Sequence, residues 1–149
     1  MRPTFFDPAV RAEAIARLRR LTPSAPRRWG KMSAPQMVAH LTDQMSHCLG
    51  DTPCTPERSY LRLPGVRYLA IYWVPWPKGR SRGPADAFLT QPVEWDSDLR
   101  ALIAKVERFG TRDPAERWPD HALMGRMRGE DWGVLCAKHF DHHLRQFGV

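Results

Sequence analysis

Apolar side chains recur at steps of three and four residues along much of this 149-residue chain. The first such segment covers residues 7–21, opens with an Asp-Pro pair and stops before a run of prolines. The second covers residues 33–49. There Ser33 and Gln36 have the spacing of a capping box, and Gly50 supplies a C-terminal stop. Both patterns predict amphipathic helices.

Three later segments complete the helical pattern. A short apolar helix is predicted between residues 66 and 74. The cleanest amphipathic helix follows, with Asp96 or Ser97 as its cap and Gly110 after its end. A last helix is predicted from about residue 130 to 147, where apolar residues again keep helical spacing.

Proline and glycine interrupt the chain between these helices. Residues 75–92 contain four prolines and two glycines, which predicts an irregular excursion held to the body by Trp73 and Trp76. A second loop covers residues 110–129, and no segment alternates with the period of a strand. We therefore expect residues 1–149 to form a single all-α domain, a four-helix bundle with a Pro/Gly-rich excursion.

Charge and hydropathy limit the classes of partner. The formal net charge is +7, which favours an anionic partner, but the arginines are scattered along the chain rather than clustered, so we expect no nucleic acid. The longest apolar run, residues 68–74, is too short to cross a bilayer. The N-terminus has no signal-peptide pattern, and the expected location is cytoplasmic.

The three cysteines argue against a disulfide scaffold or a thiolate zinc site. Their number is odd and no Cys-x-x-Cys spacing occurs, so reduced thiols are expected. Cys136 lies on the inner stripe of the last helix and is predicted to be a packing residue.

The strongest chemical signal is a histidine stripe in the last predicted helix. Its inner face begins with apolar side chains and continues as His139 and His143, which lie one turn apart. His40 lies in the middle of the second predicted helix. If these two helices are neighbours, the three imidazoles can bind one divalent metal ion and leave positions open for other ligands. His142 is the alternative to His143, but it points to another side of the stripe.

The remaining histidines and two carboxylates have open roles. His47 faces the same way as His40 and is either a support for the site or a packed helix-end residue. The loop residue His121 either contacts substrate or is an ordinary surface histidine. Asp43 and Asp141 can each orient a ligating imidazole or accept a proton, and Asp43 is the predicted catalytic residue. For Asp141 an exposed helix charge is favoured.

Four stretches of the chain carry a resemblance to a known family: Trp29-Gly30-Lys31-Met32-Ser33, Gln36-Met37-Val38-Ala39-His40-Leu41, His121-Ala122-Leu123-Met124-Gly125 and His139-Phe140-Asp141-His142-His143-Leu144-Arg145-Gln146-Phe147-Gly148. Together they resemble the DUF1569 branch of the DinB-like superfamily. The loop departs from the family pattern, because His121 is followed by alanine instead of proline.

The resemblance implies a DinB-like four-helix bundle with a divalent metal, zinc or nickel first, on His40, His139 and His143. It also implies a small-molecule substrate and a transferase or isomerase reaction that uses a low-molecular-weight thiol. The net charge by itself, apart from the resemblance, leads us to expect that positive residues at the mouth hold the carboxylate of such a thiol. A metal-dependent hydrolase is the second hypothesis, and a non-catalytic module that binds a ligand or nucleic acid is the third. Both a monomer and a homodimer are compatible with the sequence.

Overall fold

The computed structural model describes residues 2–79 and 83–149, and this part of the chain is helical without a β-strand. Two 3₁₀ turns lie at Tyr60–Arg62 and Ala85–Phe88. The α-helices are α1 (Pro8–Arg19), α2 (Ala34–Leu49), α3 (Pro64–Tyr72), α4 (Trp95–Phe109) and α5 (Gly129–Gln146). The predicted all-α class is confirmed.

The N-termini of the first two helices form as the sequence predicts. The Asp7 side chain accepts a hydrogen bond from the backbone N–H of Ala9, and a proline occupies the first turn of α1. At α2 both halves of the capping box are present, between Ser33 and Gln36. Gly50 ends α2 in the left-handed conformation, with φ of 80°. These caps fix the position of His40 along α2.

Two local predictions were wrong. The cap of α4 is Glu94 instead of Asp96 or Ser97, because its two carboxylate oxygens accept the backbone N–H groups of both those residues. Trp73 does not hold the excursion to the body. This residue is 59% exposed, and its ring stacks under the guanidinium of Arg2. Trp76 alone packs inward, against the histidines of α5.

Four helices contact one another in a closed ring. The helix α1 packs on α4 and α5, and α2 packs on the same two helices, while α3 lies outside the ring against α5. The interior is filled by large apolar side chains, most of them fully buried: Phe5, Leu18, Met37, Leu41, Leu102, Phe109, Trp132, Leu135 and Phe140. The contact between α2 and α5 brings the two histidine-bearing helices together. No described helix is long and apolar enough to cross a membrane.

The excursion after α3 returns to the body over α2. Its residues 80–82 lie outside the described part of the chain, and the 3₁₀ turn that follows packs on α2. Just beyond this turn, Thr90 donates to the carboxylate of Asp43 through both its backbone N–H and its hydroxyl. The end of the excursion is thereby fixed beside His40.

Candidate metal centre

Three buried imidazoles converge between α2 and α5. The Nε2 atom of His139 lies 3.0 Å from Nε2 of His40 and 2.9 Å from Nε2 of His143. All three ligand atoms lie within 4.8 Å of one another. The predicted pair on α5 and the predicted histidine of α2 therefore meet at one point, as their helical positions require.

The outer nitrogen of each ring faces an oxygen that can only accept a hydrogen bond. His40 Nδ1 donates to the carbonyl of Ala87 (2.7 Å), and His139 Nδ1 donates to Oε1 of Gln44. His143 Nδ1 donates to Oε1 of Gln146 (2.9 Å). A neutral imidazole carries one proton, and here that proton is on Nδ1 in every ring. Three Nε2 lone pairs are therefore directed at one another.

The amide of Gln146 has its orientation fixed from both ends. Its Nε2 donates to the carbonyl of Trp29 (2.7 Å), so its Oε1 must face His143. The approach of this side chain depends on Gly30, whose φ is +78°, because a Cβ at that position would lie 2.3 Å from the amide nitrogen. The segment before α2 thus supports the tautomer of His143.

Burial keeps the three rings uncharged near neutral pH. It lowers the pKa of His40, which Asp43 partly offsets by its negative charge. It lowers the pKa of His143 to about 3, with a further contribution from His40. The pKa of His139 falls well below its ordinary value because of burial and the two neighbouring rings. Neutral imidazoles are the form that binds a metal.

The arrangement fits a divalent cation better than any partner the protein offers. The Nε2 lone pair of His139 lies about 3 Å from those of His40 and His143, and such lone pairs repel one another unless a proton or a cation lies between them. The lowered pKa values disfavour the proton. A metal ion bound at about 2.1 Å holds two imidazole nitrogens roughly 3.0 to 3.4 Å apart, close to the separations found here. Three buried histidines can therefore hold a metal ion in this structure.

The two carboxylates considered from the sequence contact other partners. Both oxygens of Asp43 accept hydrogen bonds from Thr90, so this side chain orients no imidazole directly. Its role as a proton acceptor stays a prediction. Asp141 is 41% exposed and pairs with Arg17 and Arg145, as expected for a helix-surface charge.

The other three histidines surround the cavity in front of the site. His47 is buried at the end of α2, where its ring nitrogens face the carbonyls of Thr52 and Asp86. The ring of His142 packs between those of Trp29 and Trp76, beside His143. The cavity has a volume of about 630 Å³ and is lined mostly by apolar side chains.

His121 is more enclosed than a surface histidine. Its ring packs on that of Trp132 at 5.3 Å, and its Nδ1 accepts the backbone N–H groups of Leu123 and Met124. Because burial disfavours the charged form, the pKa of His121 falls to about 4. The proton of this neutral ring is therefore on Nε2, at the cavity wall.

This lowered pKa predicts a loss of stability in acid. The unfolded chain binds a proton at His121 near its ordinary pKa of 6.5, and the folded chain binds it only near 4. Stability is therefore unaffected above about pH 7 and falls as the pH drops towards 5, by roughly 1–2 kcal/mol for this residue. Urea unfolding of the metal-free parent protein and of metal-free His121→Phe, each at pH 5 and pH 7, measures this change in the free energy of unfolding. A free-energy gap between the two proteins that stays the same at pH 5 and pH 7 would contradict the assignment.

A second prediction concerns the acceptor of His139. Gln44→Met removes the oxygen that holds the ring, so metal affinity is expected to fall about 10- to 100-fold. Gln44→Glu keeps an acceptor at that place and should bind the metal within a few-fold of the parent protein. Competition titration against a chromogenic chelator gives the affinities. The matched control is Gln91→Met, an exposed residue of the excursion; an equal loss in that variant would refute a specific role for Gln44.

Sequence reasoning missed the groups that orient the ligands. The candidates from the sequence were the carboxylates Asp43 and Asp141. The groups that accept hydrogen bonds from the three rings are instead the side chains of Gln44 and Gln146 and the backbone carbonyl of Ala87. Gln44 is four residues after His40 and Gln146 three after His143, so helical spacing alone puts both on the correct faces. No sequence pattern predicts the carbonyl of Ala87 as an acceptor, because Ala87 lies in the excursion, far from His40 in the sequence.

Comparison with known proteins gives one match. The model of a family described as "Protein of unknown function (DUF1569)" matches residues 8–148. The chain therefore belongs to the DUF1569 family, as its resemblance to that family implied. No curated protein and no solved structure matches the chain.

Proposed function

We propose that this member of the DUF1569 family is a metal-dependent enzyme whose divalent ion is bound by His40, His139 and His143. The observation that carries the proposal is the convergence of three Nε2 lone pairs, each ring having its other nitrogen committed to an oxygen acceptor. Histidines that only pack in the core do not need to share one tautomer or to direct their unprotonated nitrogens at one point. The three protein ligands leave coordination positions for exogenous groups.

We further propose that the ring of helices is a DinB-like four-helix bundle and that the whole chain is one domain. Facing helices of such bundles supply inward-pointing ligands, and α2 and α5 are in contact here and carry the three clustered histidines, which supports the proposal. Zinc and nickel are the first candidates for the ion, since imidazole suits both. When bound, a divalent ion of this kind activates a thiol or a water molecule as nucleophile near neutral pH.

The proposed reaction is the transfer of a low-molecular-weight thiol to an electrophilic small molecule, or a thiol-assisted isomerisation. In the transfer, the thiol sulfur bonds to an electrophilic carbon, the leaving group departs with its electron pair, and the thiol proton passes to a base. Asp43 is the proposed acceptor of that proton, because it is the carboxylate whose charge acts on His40. The cavity in front of the three histidines is lined mostly by apolar side chains, which suits an apolar electrophile.

The test is a thiol-transfer assay on metal-free protein reconstituted with zinc or nickel. Glutathione, cysteine, bacillithiol and mycothiol are each offered with 1-chloro-2,4-dinitrobenzene, and the thioether product is followed by absorbance. Activity that requires both the ion and a thiol, and that is lost in His40→Ala, is the expected result. Ester hydrolysis without any thiol would instead support the hydrolase. A bound ion with neither activity would leave a non-catalytic metal protein.

An exposed apolar face makes a homodimer part of the proposal. Val66, Leu69 and Trp73 follow helical spacing on and just after α3, and each is at least 39% exposed. A two-fold axis through this face would cover both copies at once. Light scattering after size exclusion should give twice the monomer mass, and Leu69→Asp should give the monomer; a monomeric parent protein rejects this part.

A further inference from the structure

One part of the rim of the cavity in front of the histidines is positively charged, unlike the rest of the cavity. Most of its wall is apolar, with Met32, Leu61, Trp76, Phe88, Leu123 and Met124 among the lining residues. At this part of the rim two segments of chain pack closely together, since a Cβ on Gly79 would lie 3.8 Å from the backbone nitrogen of Gly30. Each segment carries an exposed lysine next to this contact, Lys31 and Lys78.

The positive charge of this rim is not neutralised by the protein. Neither Lys31 nor Lys78 pairs with a carboxylate anywhere in residues 2–79 and 83–149. The ammonium of Lys78 lies instead over the ring of Trp29, 4.9 Å from its centroid. The one acid of the cavity wall, Asp86, accepts a hydrogen bond from the backbone of Thr55.

A buried donor lies beside these lysines. The indole Nε1–H of Trp29 is enclosed and, among the described residues, is the one buried side-chain polar atom without a hydrogen-bond partner. An enclosed N–H without a partner costs free energy, and such atoms in native structures often face a missing ligand or water. Trp29 also lines the cavity. Its ring contacts that of His142, which in turn contacts the ring of His143, so Trp29 lies close to the candidate metal centre.

We propose that the cavity binds an amphipathic anion, with its anionic head group at Trp29, Lys31 and Lys78 and its apolar body along the cavity wall. The head group is attracted by the two ammonium groups and accepts the Trp29 N–H, which a rotation of the indole turns out of its enclosed position. A volume of about 630 Å³ suits a body of small-molecule size. That this anion is the substrate rests on the proposed function, whereas its binding does not. A carboxylate and a phosphate share the required chemistry.

Binding is tested on metal-free protein, so that the result does not depend on the metal or on any reaction. Isothermal titration compares decanoate and decyl phosphate with the neutral decanol and the cationic decyltrimethylammonium. The anions are expected to bind about tenfold more tightly than decanol, and this advantage should shrink in high salt. The stronger of the two anions identifies the head group.

Variants locate the head-group site. Lys31→Met and Lys78→Met are each expected to weaken anion binding about three- to tenfold while leaving decanol unchanged. Trp29→Phe keeps an aromatic ring but removes the N–H, and should weaken anion binding likewise. Lys105→Met is the matched control, because Lys105 pairs with Asp51 away from the cavity.

Three outcomes overturn the proposal. The first is equal affinity for decanoate and decanol, which would leave only an apolar cavity. The second is an effect of Lys105→Met as large as that of the rim variants, which would mean attraction by net charge alone. The third is no binding by any of the four probes. Loss of thiol-transfer activity in the reconstituted protein, with anion binding intact, would count against the proposed reaction and not against this site.

Discussion

His139→Ala is expected to abolish stoichiometric metal binding. His139 is the central ring of the cluster, with its Nε2 within 3.0 Å of the other two. A structural zinc site of four ligands contributes about 10–16 kcal/mol, so one ligand accounts for roughly 3 kcal/mol or about a hundredfold in affinity. Elemental analysis of untagged protein after gel filtration should fall from one ion per chain to none. Helical content by circular dichroism should remain.

The matched control is His142→Ala, which removes an imidazole three residues from His139 that is not part of the cluster. This variant should keep its ion. A parent protein that holds no ion after expression with added zinc and nickel would contradict the metal centre, and so would a His139→Ala protein with unchanged metal content. The thermal midpoint of the parent protein should rise with added metal, since an ion that binds only the folded state stabilises it.

Gly129→Ala is expected to destabilise the fold by about 3 kcal/mol, although the added group is a single methyl. A Cβ at this position would lie 2.3 Å from the carbonyl oxygen of Pro114 and 2.7 Å from its Cα. Those are backbone atoms, so the clash is relieved only if α5 or the 110–129 loop moves. Urea unfolding of the metal-free protein measures the change.

Gly65→Ala is the matched control for that substitution. Gly65 lies in the first turn of α3, and apart from its chain neighbours and the backbone of its own helix, no atom of the described residues lies within 4 Å of the position that its Cβ would occupy. Alanine there restricts the unfolded chain and favours the helix, so stability should rise by about 0.5 kcal/mol. The same chemical change thus has opposite signs at the two sites. A Gly129→Ala protein as stable as the parent would show that the first turn of α5 is not packed as described.

The helices were predictable because their determinants are local. The capping box at Ser33 and Gln36, the proline of the first turn and Gly50 lie within or beside α2, and each acts where the sequence predicts. The predicted cap of α4 was wrong for an equally local reason. Glu94 has a long acidic side chain that reaches two backbone N–H groups, whereas the usual N-cap preference favours shorter side chains such as those of Asp96 and Ser97. An error of two or three residues at that end does not affect the site.

Of the site, only the three candidate ligands could be predicted from the sequence. His40, His139 and His143 lie on helix faces whose spacing is visible in the sequence, so their meeting depends only on which helices are neighbours. The acceptor of His40 and the orphan indole of Trp29 depend on how loops fold back on the helices. Loop conformation is set by contacts between residues distant in sequence, and no periodic pattern encodes it.

The amide of Gln146 has a consequence for the order of the chain before α2. One end of that amide holds the ring of His143 and the other holds the backbone at Trp29. The proposed ion at His143 and the proposed anion at Trp29 and Lys31 are therefore expected to be thermodynamically linked, and such a linkage is reciprocal. We expect the anion to bind more tightly to the metal-loaded protein than to the metal-free protein, and the ion to bind more tightly by the same factor when the anion is present.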